Sequence, residues 1–390
     1  MIRYGRVFDV VRSLRRFSSV ATDFVPVSES LTDAVIFRTS ETNPANHSKD
    51  QDGRFYRVPD SIKKQLFTHG GLPKEYNILS ETLNELCIMV RKPTVELIDY
   101  LKKTNFDAPV PRYVLYGNTG TGKSLSLAHI LHYGSNAGFV LVHVPWVPNW
   151  FRKFKEVAPS VMNPNKYDHP IEAVEWLRHF VTQNGPLFPN LGLKTTSTYT
   201  WSKREITAEG APLSELIDLG LNRAKYATSC IAALLDELKK AAVNNQCRVL
   251  VVIDGFNSFF SPRSRATRED KSVVLPSDFV VTEAFLSITK NDWNNGAVVV
   301  SVDPVAHPNE LRESYLPRYQ LGKQGFEHLD PFVPIEMPNY NEKEFRSQID
   351  YYIERKWLQQ PKAHTEKGRT ELSFTSGNHP YSLMRLVAPY

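Results

Sequence analysis

One eight-residue stretch limits the folds open to this chain more than any other feature. It is Gly117-Asn118-Thr119-Gly120-Thr121-Gly122-Lys123-Ser124, a GxxxxGK[ST] pattern placed directly after the apolar run Tyr113-Val114-Leu115-Tyr116. Glycines let the backbone curl until its N–H groups converge on phosphate oxygens, and the helix that follows adds its positive N-terminal dipole. Lys123 stands where it reaches β- and γ-phosphates, and the Ser124 hydroxyl where it reaches Mg²⁺. Leu125, Leu127, Ala128, Ile130 and Leu131 give the following segment an apolar helical face, so strand, loop and helix are predicted as one unit. Gly117 through Leu125 are the expected nucleotide-binding residues.

A phosphate loop needs a carboxylate at the end of a neighbouring strand to hold the metal through water. Arg248-Val249-Leu250-Val251-Val252-Ile253-Asp254 supplies the buried strand and the acid of a Walker B segment, so Ser124 and Asp254 are the expected metal residues. Tyr226, Ala227, Ile231, Leu234, Leu235 and Leu238 give the preceding segment the apolar face of a crossover helix, as a parallel sheet requires. In motor-type AAA+ ATPases the residue after this Asp is usually the Glu that orients the attacking water. Here it is Gly255, followed by Phe256 and Asn257. Binding survives that loss better than chemistry does, because phosphate and metal contacts are separate from activation of water. The expectation is tight binding with little or no hydrolysis.

Further apolar runs at 139–144, 297–302 and 332–337 complete a five-stranded parallel sheet flanked by helices, an AAA+-like α/β fold. Ser301 or Asp303, at the polar end of one run, stands where such folds read the γ-phosphate. Asn341 and Glu344 form a capping box ahead of Phe345, Ile349, Tyr352, Ile353 and Trp357, which marks the start of a helical lid over 339–390. Within it, Gly377 and Pro380 open a final short helix carrying Arg385, a turn comparable to the GxP of signalling ATPases but one residue longer. The predicted organisation is a presequence at 1–22, an extended arm and helical preface at 23–107, the P-loop domain at 108–338 and the lid. In the preface, Asn43 to Gly53 reads as loop and Leu79 to Arg91 as a helix interrupted at Pro93.

Charge needs care. The 390 residues carry a formal net +5, which invites a nucleic-acid reading. Arg3, Arg6, Arg12, Arg15 and Arg16 stand against Asp9 alone within residues 1–22, so this segment holds four of the five net charges and the remainder is nearly neutral. Val7, Val10, Val11, Leu14 and Phe17 fall on one helical stripe beside the arginines, the form of a mitochondrial presequence, and Arg15-Arg16-Phe17-Ser18 resembles a matrix-peptidase site. No apolar run is long enough for a membrane span. Cys87, Cys230 and Cys247 have neither metal-ligand nor redox spacing and read as buried thiols in a reducing compartment.

Lys123 and Asp254 are separated by far more chain than one crossover helix needs, which makes 146–210 an insertion. Trp146, Trp150, Phe151, Arg152, Lys153, Phe154 and Lys155 mix aromatic faces with positive charge, the composition of an RNA surface or, equally, of a self-packed loop cluster. Arg263 and Arg265 in the 261–272 loop are further candidate RNA contacts beside Arg152, Lys153 and Lys155, although this loop reads first as a solvated one. Thr289-Lys290-Asn291-Asp292 matches the guanine-reading [NT]KxD signature, but it precedes a strand instead of following one and is discounted.

The P-loop in its setting, Tyr113 to Gly117 and Gly120 to Leu127, together with Val249 to Asn257 and its Asp-Gly ending, resembles the death-associated GTP-binding protein family of the mitochondrial small ribosomal subunit. The order of presequence, long arm, P-loop and wide gap matches too, from about Phe55 to the C-terminus. The resemblance implies a structural subunit of the mitoribosome in the matrix, supporting translation there. It also implies a bound guanine nucleotide, GTP or GDP, with Mg²⁺, contacts to small-subunit rRNA and neighbouring ribosomal proteins, no homo-oligomer, and an association with apoptosis. The residues alone leave ATP open as the nucleotide. They also leave open an active AAA+-type NTPase or nucleotide-dependent switch in the matrix, and a P-loop kinase.

Overall fold

The computed structural model describes residues 37–308, 310 and 312–388. The presequence at 1–22 lies outside them. The central sheet has five parallel strands: β1 (Arg112–Tyr116), β2 (Val140–Val144), β3 (Val249–Ile253), β4 (Gly296–Ser301) and β5 (Val333–Glu336), in the order β5-β1-β4-β3-β2. The P-loop strand β1 is therefore an interior strand next to the edge strand β5, and the central strand β4 separates it from the strand that ends in Asp254. This is the α/β architecture expected from the apolar runs.

Successive strand residues point to opposite faces, so a strand buried on both sides must be apolar throughout. Val249, Val251 and Ile253 face one core with Val140, Val142, Val298 and Val300, while Leu250 and Val252 face the other with Tyr113, Leu115, Ala297 and Val299. The first face is covered by helices Pro170–Asn184, Ala224–Val243 and Val280–Ile288, the second by Lys92–Lys103 and Lys123–Asn136. Each such fully buried Val or Leu contributes roughly 1.5–3 kcal/mol of transfer free energy, which makes β3 the spine of the domain.

The preface differs from its sequence reading in four ways. Asn43 to Gly53 holds two 3₁₀ turns, Pro44–Asn46 and Lys49–Gln51, capped by the Asn43 and Ser48 side chains. Leu79 to Arg91 is not one helix: helix Lys74–Thr82 ends before Asn84, whose positive φ of 55° turns the chain into strand Cys87–Met89, paired antiparallel with Phe55–Arg57. Pro93 then opens helix Lys92–Lys103 instead of interrupting one, since its missing N–H is harmless in a first turn. The preface is also no mere arm. Tyr56, Val58, Leu66, Leu86, Ile88 and Val90 are buried in the core that covers the second face of the sheet.

The insertion packs into the main core, with Trp150 and Trp176 against Phe285 and Trp201 against Tyr226. Trp150, Phe151, Trp176, Phe180 and Trp201 are core residues, and buried Glu237 of the long helix accepts from the Thr196 N–H (2.8 Å), the Thr196 hydroxyl (2.9 Å) and the Tyr199 hydroxyl (2.6 Å). Trp150 and Phe151 are therefore not the stacking surface that an RNA reading of this stretch asked for.

Histidines occur in buried pairs at the joints between segments: His47 Nδ1 lies 2.8 Å from His129 Nε2, and His143 Nδ1 lies 2.9 Å from His179 Nε2. Burial pushes His132 and His169 down to about 4 and His179 to about 3, and holds His129 and His143 well below the usual imidazole range. These rings stay neutral in the fold. Above a pH of about 6.5 both folded and unfolded chains leave them uncharged, and below it only the unfolded chain takes up the protons. Stability should therefore fall steadily as pH drops from about 6.5 towards about 4, by on the order of 1 kcal/mol per pH unit for each such ring. Urea midpoints measured across this window check it, and a flat profile would refute it.

Candidate nucleotide site

The loop between β1 and helix Lys123–Asn136 is shaped by backbone that only glycine tolerates. Gly117 has φ 145°, and a Cβ there would stand 2.6 Å from the Met337 carbonyl; Gly120 has φ 87°, and its Cβ would stand 2.6 Å from the Tyr381 Cβ. Lys123 folds back into the loop. Its buried ammonium donates to the carbonyls of Gly117 (2.8 Å) and Asn118 (2.6 Å) and pairs with Asp303 Oδ2 at 2.9 Å. Thr119 donates its hydroxyl to Asp303 Oδ1 at 2.8 Å, and Thr121 donates its own to the Asn118 carbonyl at 3.0 Å.

Asp254 ends β3 beside this loop. Its carboxylate accepts from the Ser124 hydroxyl at 2.5 Å and from the Ser301 hydroxyl, and Ser301 Oγ in turn accepts from the Gly255 N–H at 3.0 Å. Burial pushes the Asp254 carboxyl up to about 6, against the opposing pull of these two hydroxyls. A serine hydroxyl and a carboxylate side by side at the mouth of a phosphate loop are the oxygen donors that Mg²⁺ takes, with water completing its shell. The bound ion would neutralise phosphate charge. Asn257 supports the far side, donating to the Asp303 carbonyl (3.1 Å) and accepting from the Asp303 N–H (3.2 Å). Both candidate sensors thus reach the site, Ser301 through Asp254 and Asp303 through Lys123.

Gly255 is closed to any side chain. Its φ is 73°, and a Cβ would stand 2.9 Å from Trp146 Cζ3 and 2.9 Å from Pro148 Cδ. The place of the hydrolytic Glu is filled by an indole ring.

The lid covers the loop directly. Helix Glu366–Ser376 ends at Gly377, which takes φ 58°, and Pro380 opens helix Pro380–Leu386. His379 Nε2 lies 2.9 Å from the Thr119 carbonyl, and the Tyr381 N–H donates to the Gly120 carbonyl at 3.3 Å. Arg385 is exposed, with its guanidinium 5.9 Å from the Tyr381 ring centre and no hydrogen bond to the loop. Arg91, which sequence reasoning missed, does more. It is buried and donates to the Thr121 carbonyl (2.6 Å), the Pro338 carbonyl (2.9 Å) and Glu344 (Nε to Oε1, 2.8 Å). The capping box forms as expected, with Glu344 Oε2 accepting from the Asn341 N–H at 2.9 Å, so one carboxylate both caps the lid helix Glu342–Glu354 and binds Arg91. In the sequence Arg91 looks like a surface base beside Lys92, and Glu344 signals only its capping role.

From Ile88 to Leu386, a span that includes Arg91, the P-loop, Asp254 and the covering helix, the chain matches the family model described as mitochondrial ribosomal death-associated protein 3. The chain belongs to this family. The small ribosomal subunit protein mS29 of Bos taurus is 41% identical over 353 residues, covering 90% of this chain and 88% of that protein. The protein of the same name from Mus musculus is 40% identical over 353 residues, covering 90% and 89%. Among solved structures, the Aeropyrum pernix ORC2 protein is similar at 16% identity, covering 81% of this chain and 61% of that one, with a TM-score of 0.30, too loose a likeness to build on.

In this family chain the basic residues read as candidate rRNA contacts fare unequally. Lys155 is taken by Glu175, whereas Lys153 is exposed. Arg152 donates to the carbonyls of Val305 (2.6 Å) and Ala306, Arg265 donates to the Arg152 carbonyl (3.3 Å), and Arg263 pairs with Glu310 (3.0 Å). The discounted Thr289–Asp292 stretch lies ahead of β4, at the opposite end of the parallel sheet from the P-loop, with Asp292 paired to Lys239 at 2.6 Å.

Proposed function

We propose that this chain is a structural component of the mitochondrial small ribosomal subunit that carries a magnesium nucleotide as a resident ligand and hydrolyses it slowly. Its family and its mS29 relatives support the ribosomal part, and with it a place in the mitochondrion. The nucleotide part rests on the P-loop, on Ser124 and Asp254 meeting beside it, and on Lys123 poised in the loop. The single observation behind slow hydrolysis is the closed Gly255 position. No carboxylate can be carried there to orient water while Trp146 occupies the space. Guanine follows from the family resemblance alone. Small-subunit rRNA and neighbouring ribosomal proteins are the partners.

Three measurements test this reading. Tagged chain should co-migrate with the small subunit on a mitochondrial gradient, and failure to do so would remove the ribosomal role. Acid extraction of the purified chain should release GTP or GDP, and release of adenine nucleotide would overturn the guanine assignment. Single-turnover hydrolysis should run slower than about 0.1 per second, well under the roughly 10 per second of an ordinary enzyme.

A further inference from the structure

We propose that Arg152, Arg263, Arg265 and Arg312 form one binding site for the phosphodiester backbone of RNA. This rests on the ribosomal reading and gives it a contact surface. The four residues come from the segments that follow β2, β3 and β4, at the same C-terminal end of the strands as the P-loop. The loops are stitched together by their own arginines. Arg152 holds the Val305 and Ala306 carbonyls, the Arg265 N–H donates to the Phe151 carbonyl at 2.9 Å while its guanidinium donates to the Arg152 carbonyl, and Arg312 donates twice to the His307 carbonyl at 3.1 Å. Glu310, paired with Arg263, is the carboxylate seen within the group.

Four guanidinium groups held together by backbone carbonyls, with one carboxylate among them, repel one another. Burial and then the charges of Arg312, Arg265 and Arg263 pull Arg152 below the usual arginine range. A fold keeps such a concentration of like charge when a polyanion neutralises it, and the rest of the body, nearly neutral, offers no general attraction. Arginine favours phosphate in particular. Its planar fork meets two phosphate oxygens at once, and most of the donors on Arg263, Arg265 and Arg312 are left over after the intramolecular bonds. The patch also shares the short Pro304–Ala306 turn with Asp303, whose carboxylate caps that turn through the Val305 N–H at 2.8 Å. RNA phosphates would therefore lie beside the nucleotide end of the fold.

The test uses the full chain and a fluorescently labelled RNA hairpin, titrated across a range of salt. Arg152→Ala/Arg265→Ala/Arg312→Ala should weaken binding about tenfold or more and flatten the slope of log affinity against log salt by about one for each phosphate no longer neutralised. Because Arg152 also staples loops, Arg263→Ala/Arg265→Ala serves as a second variant that keeps the Arg152 bonds and the Arg265 backbone bond and loses only exposed contacts, and it should weaken binding several-fold with little change in the melting curve. An equal loss in the lid variant Arg346→Ala/Lys362→Ala/Lys367→Ala would overturn the site, as would unchanged binding in both patch variants. Displacement of the hairpin by poly-glutamate as effective as by unlabelled RNA would also overturn it and mark the patch as a face for acidic protein. Unchanged RNA binding in chains that still co-sediment with the small subunit would remove this site and leave the ribosomal role standing. Failure of the wild-type chain to co-sediment would remove that role itself.

Discussion

Replacing Arg91 with alanine is expected to destabilise the folded chain by about 3–5 kcal/mol, because it strands a carboxylate in the interior. Arg91 and Glu344 are both almost fully buried and meet at 2.8 Å, far apart in sequence but joining the preface to the lid. The same guanidinium also serves the carbonyls of Thr121 and Pro338, one in the P-loop and one in the hinge after β5. Removing both charges, as Arg91→Met with Glu344→Met, should recover much of the loss but not all of it. The orphaned carbonyls still cost about 1–3 kcal/mol. Urea unfolding of the two variants decides the matter: a single variant as stable as wild type would show that the buried pair does not hold the lid.

The second large effect falls on the nucleotide. Lys123→Ala should lower its affinity by about two to four orders of magnitude, the equivalent of losing about 3–5 kcal/mol from a desolvated charge pair. In the structure the ammonium rests on Asp303 and two loop carbonyls, so an incoming phosphate replaces partners that are already in place. The single variant also leaves Asp303 unpaired, which weakens the fold in its own right. Lys123→Ala/Asp303→Ala separates the two effects: it should regain stability without regaining nucleotide. Retention of nucleotide through gel filtration, scored by absorbance after extraction, is the readout, and equal retention by Lys123→Ala would contradict the assignment.

What could be read from the chain in advance follows a physical pattern. The interior strands were legible because buried parallel strands are apolar on both faces, and Val249 to Ile253 shows this without ambiguity. The P-loop was legible because its chemistry needs glycines at fixed spacing. The capping box at Asn341 and Glu344 was local and therefore visible. The preface was not, because Cys87 to Val90 is too short an apolar run to declare helix or strand, and only its pairing with Phe55–Arg57 decides. Arg91 and Trp146 were missed for a deeper reason: their roles exist only through partners at Glu344 and Gly255, which no local pattern connects. The aromatic residues at 150 and 151 left two readings open, since composition cannot say which face of a ring is covered.

The lid is pinned from the other end of the chain as well. Arg38, held beside Phe55 by the Thr39 N–H to Phe55 carbonyl bond at 2.9 Å, reaches both Glu85 (2.8 Å) and Glu354 (2.5 Å), and the Phe55 and Tyr351 rings stack at 4.5 Å. Synthesis runs from the N-terminus, so the phosphate loop emerges long before His379 and Tyr381 arrive to cover it. The last helix then docks on the loop through His379 at the Thr119 carbonyl and the Tyr381 N–H at the Gly120 carbonyl. On the proposed reading, uptake of a nucleotide would be easiest while the protein is still being made.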